Sequence, residues 1–236
     1  MARTTPILYK GKVENLIFYE REGVSFVRKS PFRVRQTRAT KASAKRFGIA
    51  ASMSAVLRKG LADSVQELRD WKFKYPLQTV LMHWLKEKES GQRQHSLTSL
   101  DGFSFNPSHA LYSRLSKGVS VQRSKTGAIL IRIPALTPSE DLQAPPRTKF
   151  VNWTIAAASC TIQNPSVARQ QAGTDFDMPY KDEPLPSRQI EFPIEVKSGE
   201  LALVVIGLKY QVENKGRISA MTDRRWLPLD VVGYVS

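Results

Sequence analysis

The order of apolar and polar positions predicts a β-hairpin at the start of the chain. Residues 12–20 (KVENLIFYE) and 24–30 (VSFVRKS) are rich in β-branched and aromatic side chains, and such runs favour strands. The sequence REG at 21–23 separates them, with Gly23 available for a positive φ angle. Pro31 ends the second strand, because proline cannot donate a ladder hydrogen bond.

The hairpin is followed by a pattern with a helical period. Thr37 or Thr40 is a suitable N-cap, and sequence rich in Ala, Lys and Arg continues to about Ala62. Spacings of three and four predict one buried stripe, made of Ala42, Ile49, Met53, Val56, Leu57 and Leu61. A basic face lies elsewhere on this helix, made of Arg38, Lys41, Lys45, Ser52 and Lys59. Gly48 and Gly60 are interpreted as close-packing points or helix ends.

A second helix is predicted over residues 76–90 (PLQTVLMHWLKEKES), with Pro76 in its first turn. Residues 64–75 either extend the first helix or turn the chain. The two helices together suggest an αα-hairpin. The polar sequence at 91–96 (GQRQHS) is interpreted as a linker. The apolar face of the second helix is formed by Val80, Leu81, Trp84 and Leu85.

From about residue 100 onward the pattern becomes that of an antiparallel β protein. The runs 119–123 and 128–134 flank SKTG and predict a hairpin, and ENKG at 213–216 predicts another turn. Turns at this spacing favour a β-sandwich or an open barrel. A Pro-rich loop is predicted at 136–147. Further strands are predicted at 150–162, 188–196, 200–212, 217–222 and 226–235.

Residues 163–187 are predicted to form a long polar loop, which is either a binding or assembly element or disordered. Asp175 and Asp177 would share one side of an extended chain there, and Asp182 and Glu183 follow. These carboxylates offer oxygen ligands to a hard cation. A solvated acidic loop is the favoured interpretation, because no glycine-punctuated calcium loop is present.

Taken together, the patterns predict an α+β fold with two domains. Residues 1–95 would form a basic domain of a β-hairpin and a helical hairpin. Residues 96–236 would form an antiparallel, β-sandwich-like domain. A length of 236 residues is enough for one large core or two small ones.

Charge separates these two parts more sharply than hydropathy does. Residues 1–95 carry 20 basic and 8 acidic side chains, whereas residues 96–236 carry 16 and 13. The net charge of +15 is therefore concentrated in the first part, as +12 against +3. Such an excess favours a polyanionic partner, either nucleic acid, an anionic lipid surface or an acidic protein face.

Other features of composition predict a cytosolic protein. No apolar run approaches the roughly 20 residues of a membrane helix, and the N-terminal sequence lacks the apolar core of a signal peptide. The single cysteine, Cys160, precludes an internal disulfide. We therefore expect a location in the cytosol, or in a particle assembled there, and no membrane partner.

The N-terminal third also resembles a known family. Its motifs are GKVENLIFYEREGVSFVR, then VRQTRATKASAKRFG, then a helix that ends in VLRKGL. This order is similar to that of small basic proteins from Bacteroidetes-type genomes, whose later part is β-rich. The resemblance covers about the first 65 residues well and the remainder loosely. The family has no assigned function, so the resemblance implies no site residues.

No motif in the sequence indicates a catalytic site. The histidines His83, His95 and His109 are scattered, no serine lies in a G-x-S-x-G elbow, and Cys160 lies in an apolar strand. Zinc-ligand spacings, a Walker loop and a dinucleotide fingerprint are all missing. KTG at 125–127 is interpreted as a hairpin turn, and a helix-turn-helix at 44–60 is disfavoured by the uninterrupted helical pattern. We predict no enzyme activity, no cofactor and no metal site.

The most distinctive segment is Arg28–Gly48, which contains eight Lys or Arg and no Asp or Glu. Polar residues between the cations add neutral donors to phosphate. Phe32 could stack on a base but is interpreted first as a packing anchor. About four phosphate contacts would give a log–log salt slope near −3.6. The predicted nucleic-acid-binding residues are Arg28, Lys29, Arg33, Arg35, Arg38, Lys41, Lys45 and Arg46.

Three hypotheses follow for this segment and for the protein. The first is a non-enzymatic protein that associates with nucleic acid. The second is a self-assembling structural protein, virion- or phage-derived, in which the basic region lies at subunit contacts or faces packaged nucleic acid. A homo-oligomer is expected, and an unrecognised enzyme is the third choice. A solvated basic face that only aids solubility competes with all three.

Overall fold

The computed structural model describes residues 10–21, 24–30, 36–65, 68, 74–90, 100–106, 109–165 and 170–236. It confirms the mixed α+β class, with strands first, then two helices, then an antiparallel β-rich part. The chain forms two compact units, Met1–Ala42 and Ser43–Ser236. The predicted domain boundary at 95/96 and the predicted linker at 91–96 lie outside the described residues.

The first unit contains a three-stranded antiparallel sheet rather than a two-stranded hairpin. Its strands, in spatial order, are β1 (Gly11–Val13), β2 (Leu16–Arg21) and β3 (Val24–Lys29). The predicted single strand at 12–20 is therefore wrong, because Glu14 adopts a φ angle of 48° and turns the chain back. The predicted pairing of residues 12–20 with residues 24–30 is confirmed, as the pairing of β2 with β3.

Helix α1 (Arg38–Val65) begins where the sequence predicts. Thr37 is the N-cap, because its hydroxyl accepts the backbone N–H of Thr40 at 3.1 Å. Met53, Val56, Leu57 and Leu61 of the predicted stripe are buried, whereas Ala42 is exposed and Ile49 only partly buried. Gly48 is not a close-packing point, since a Cβ there would meet nothing within 4 Å.

Helix α2 (Lys74–Ser90) confirms the second predicted helix. Leu77, Leu81, Trp84 and Leu85 are buried, and Val80 is partly buried. Both helices share a core with one face of a sheet. The residues of this sheet face are Ala156, Ala158, Cys160, Leu201, Leu203, Val205, Leu229 and Val231.

That sheet has five strands, and its two longest lie side by side in the middle. Strand β6 (Thr148–Thr161) pairs with β7 (Gln170–Pro179) on one side and with β9 (Glu200–Asn214) on the other. On its free side, β9 pairs with both β10 (Arg217–Ala220) and β11 (Leu229–Val235). All pairings are antiparallel. Lys215 and Gly216 form the predicted turn, with φ angles of 49° and 77°.

A second, three-stranded sheet packs on the opposite face of the five-stranded sheet. It has the order β4 (Ser120–Arg123), β5 (Ile129–Ile133) and β8 (Arg188–Phe192). Ile129, Ile131 and Phe192 of this sheet share a core with Trp153 and Tyr210 of the larger one. The predicted β-sandwich-like arrangement is thus present, and the helices add a third layer to it. A short helix α3 (Pro138–Asp141) interrupts the predicted Pro-rich loop.

The predicted loop at 163–187 is wrong over much of its length. Residues 170–179 form β7, which pairs with β6 through ten residue pairs. The sequence does not indicate this strand, because the side chains at its exposed positions are mostly polar. Asp175 and Asp177 do lie on one side of the extended chain, as predicted, and both are exposed. Asp177 accepts hydrogen bonds from Asn152 at 3.0 Å and from Gln211 at 3.4 Å.

Candidate nucleic-acid interface

The predicted basic segment falls on two elements with undescribed residues between them. Arg28 and Lys29 are the last two residues of β3, and both are exposed. Arg33 and Arg35 lie outside the described residues, as does Phe32. The remaining four cations lie in the first nine residues of α1: Arg38, Lys41, Lys45 and Arg46.

The first turns of α1 present cations on one side. Arg38, Lys41 and Lys45 follow each other at spacings of three and four, so they are neighbours along one helix face. All three are exposed. No acidic residue occupies the first turn, although a carboxylate there would interact favourably with the helix dipole. Among the described residues, the positive charge of this helix start is therefore not offset in its first turn, and an external anion would stabilise it.

Arg46 differs from the other cations of the helix. Its Nε atom lies 3.3 Å from Glu89 Oε2 of α2, and its side chain is only 21% exposed. The charge of Arg46 is thus offset within the chain, so we leave it out of the interface. By contrast, no ion pair with a described carboxylate is formed by Arg28, Lys29, Arg38, Lys41 or Lys45.

Two aromatic side chains close to the basic segment were not identified from the sequence. Tyr19 and Phe26 are opposite each other on β2 and β3. Their ring centroids lie 5.6 Å apart with 21° between the planes. The guanidinium carbon of Arg28 lies 5.6 Å from the centroid of the Tyr19 ring. The alternation of aromatic and basic residues along β2 and β3 is the signal that would have found them.

The groups considered for catalysis do not gather into a site among the described residues. His83 is exposed on α2, and His109 is partly buried near Asp223. His95 lies outside the described residues. Burial raises the pKa of the Cys160 thiol to about 12, so it stays protonated at neutral pH. No cluster of three or more His, Cys, Asp or Glu suited to a metal ion occurs in the described part of the chain.

Comparisons with known proteins add no relative. No family model matches the chain, and no match is found among curated proteins or among solved structures. The resemblance of the first 65 residues to the basic Bacteroidetes-type family therefore stays a prediction. In the described residues, no helix is both long enough and apolar enough to cross a membrane.

Proposed function

We propose that the protein associates with nucleic acid through its N-terminal region and has no catalytic role. The observation that carries this proposal is the set of five exposed cations without a carboxylate partner among the described residues. These cations are Arg28, Lys29, Arg38, Lys41 and Lys45. Phosphates attract such side chains independently of base sequence, and counterion release makes the attraction strongly dependent on salt.

The binding mode follows from the residue types in the basic segment. Arg and Lys contact phosphates, and the hydroxyl groups of nearby Thr and Ser residues add neutral hydrogen bonds. Contacts of this kind position a protein on the backbone of the nucleic acid and carry no base sequence information. We therefore expect sequence-independent binding. On composition, we place the protein in the cytosol or in a particle assembled there.

The test compares two variants in which the same number of charges is removed. In the first, Arg28, Lys29, Arg38, Lys41 and Lys45 are changed to Gln. In the matched control, two Arg and three Lys that are exposed in the second unit are changed to Gln: Lys125, Arg132, Lys181, Lys197 and Arg217. Binding of a short DNA duplex is measured by fluorescence anisotropy at constant salt.

We expect the first variant to bind the duplex about a hundredfold more weakly, because it loses its phosphate contacts. The control variant should bind nearly as well as the wild type. Equal losses in both variants would show that only net charge matters. Absence of duplex and single-strand binding by the wild type at low salt would end the proposal.

Self-assembly is the second candidate, and a different surface favours it. Val13, Leu16 and Val27 are exposed on one face of the N-terminal sheet, which is formed by β1, β2 and β3, and 43% to 55% of each residue is accessible. Exposed apolar patches commonly mark contacts between proteins. If the protein assembles, light scattering after nuclease treatment will give a mass far above 26.6 kDa in low and in high salt. A monodisperse monomer would contradict this candidate.

A further inference from the structure

One face of the N-terminal sheet combines aromatic rings with cations. In its register, Tyr19 is opposite Phe26, and Ile17 is opposite both Lys12 on β1 and Arg28 on β3. Residues directly opposite each other in an antiparallel sheet point to the same face, and so do alternate residues of one strand. These five residues therefore share one side of the sheet, which we call the aromatic face.

The rings of the aromatic face are arranged for further contacts. Tyr19 and Phe26 stack on each other, yet each retains 41% of its surface exposed. Arg28 lies over Tyr19, where a guanidinium is attracted to the ring face. No residue of β1, β2 or β3 with a described side chain is buried, so within these strands the rings are not part of a closed core.

Charge on the aromatic face is positive. Lys12 and Arg28 are exposed and have no carboxylate partner among the described residues. The described acidic residues of the sheet lie elsewhere. Glu14 is in the turn between β1 and β2, and Glu20 belongs to the opposite face and pairs with Lys10 at 2.7 Å. A ligand of this face therefore has flat apolar groups and negative charge.

The opposite face of the same sheet has different chemistry. Val13, Leu16, Phe18 and Val27 alternate onto it, and Glu20 is on this side as well. Lys29 lies on this side too, so both faces carry an exposed cation without a carboxylate partner among the described residues. The aromatic face is distinguished by its exposed, stacked pair of rings, which points to a specific role for it.

We propose that the aromatic face binds single-stranded nucleic acid, with unpaired bases stacked on Tyr19 and Phe26 and phosphates held by Lys12 and Arg28. Every base has a π-face, so stacking tolerates any sequence, and a basic surface follows the backbone. The bases of a duplex are stacked on one another and present only their edges, so a duplex would contact the cations of this face but not stack on its rings. The proposal rests on the proposed nucleic-acid association and specifies the strand state of the partner.

The experiment separates the contribution of bases from that of phosphates. The full-length protein is titrated with oligothymidylate of about 12 nucleotides, a length within the usual range of single-strand sites. An abasic strand of equal length presents the same phosphates without bases. Oligouridylate in a parallel titration distinguishes RNA from DNA as the preferred strand.

The variant Tyr19→Ile/Phe26→Ile removes both rings and keeps side chains that favour strands. Its control is Val13→Ala/Val27→Ala on the opposite face of the same sheet. We expect the wild type to bind the base-bearing strand five- to about a hundredfold more tightly than the abasic strand. The double Ile variant should lose this preference, and the double Ala variant should keep it.

The outcomes distinguish this proposal from the proposed function. If the wild type binds all strands equally, including the abasic one, the aromatic face has no role in base stacking while phosphate binding stands. The same conclusion follows if the double Ile variant retains the preference for bases. If the wild type binds no strand and no duplex at low salt, both proposals fall.

Discussion

The two compact units of the chain use their apolar residues in opposite ways. In the described residues of the first unit no side chain is buried, and aromatic and aliphatic side chains of its sheet are exposed. In the second unit the five-stranded sheet is buried on both faces, by helices on one side and by a second sheet on the other. Packing explains most apolar residues of the second unit, and Phe47, Tyr112, Phe150 and Ile218 are its exposed exceptions. In the first unit, packing among the described residues explains none of the exposed rings and aliphatic side chains of the sheet, and for this reason we propose a binding role there.

The largest expected effect on stability comes from a buried aromatic ring of the second unit. Trp153 is fully buried and stacks on Phe176 with 6.1 Å between ring centroids. Trp153→Ala should lower the free energy of unfolding by about 3–5 kcal/mol, because it leaves a large cavity. Phe26→Ala in the first unit should change it by less than about 0.5 kcal/mol.

Urea unfolding of both variants measures this contrast. The two changes each remove an aromatic ring, so the difference reports on the environment of the ring and not on its size alone. A loss for Phe26→Ala as large as that for Trp153→Ala would show that the N-terminal sheet has a core of its own.

A smaller effect on stability is expected from a carboxyl group that is buried in the second unit. Asp230 on β11 is fully buried, and its Oδ2 accepts the backbone N–H of Leu111 at 2.6 Å. Burial raises its pKa from the usual 3.8 to about 6, despite hydrogen bonds from Ser104 and Leu111. The folded state thus binds the proton more tightly than the unfolded state does.

Stability from this group is therefore present below pH 4 and is lost as the pH rises to about 6. The loss amounts to about 3 kcal/mol, since each pKa unit corresponds to 1.36 kcal/mol. The Asp230→Asn variant should lack this dependence. Thermal unfolding of both proteins between pH 4 and 7 measures this pH dependence. Subtracting the profile of the variant from that of the wild type removes the contributions of other carboxyl groups, such as Asp141. Parallel pH profiles would contradict the assignment.

A pair of glycine substitutions should give effects of opposite sign. A Cβ at Gly233 on β11 would lie 2.7 Å from Val121 Cβ on β4, so Gly233→Ala should cost about 1–3 kcal/mol of unfolding free energy. Gly48→Ala in α1 meets open space and should stabilise by up to about 1 kcal/mol. Chemical denaturation checks both, and destabilisation by Gly48→Ala would show that α1 is covered at this point.

Most of the fold could be predicted from the sequence, because strong periodic patterns specify it. Helix α1 and its Thr37 cap, helix α2, and the β4–β5 hairpin follow from local signals. Strand β7 could not be predicted, because its exposed positions are mostly polar and its sequence resembles that of a loop. The turn at Glu14 could not be predicted either, because a glutamate side chain gives no clear sign of a positive φ angle.

The candidate interface could be predicted only in part. The charge run identified the cations, but charge alone does not show which of them are offset within the chain. Arg46 pairs with Glu89, which is 43 positions away in the sequence and reaches it only in the fold. The aromatic face depends on strand register, because Tyr19 and Phe26 meet only when β2 and β3 pair residue by residue.

The salt dependence of duplex binding counts the phosphate contacts made by the N-terminal cations that have no carboxylate partner among the described residues. We expect a log–log slope near −4.5 for five contacts in the wild type, reduced by about 0.9 in Lys41→Gln. Arg46→Gln should leave the slope unchanged, because its guanidinium pairs with Glu89. A slope near zero, or equal reductions in the two variants, would show that these cations do not bind the phosphates.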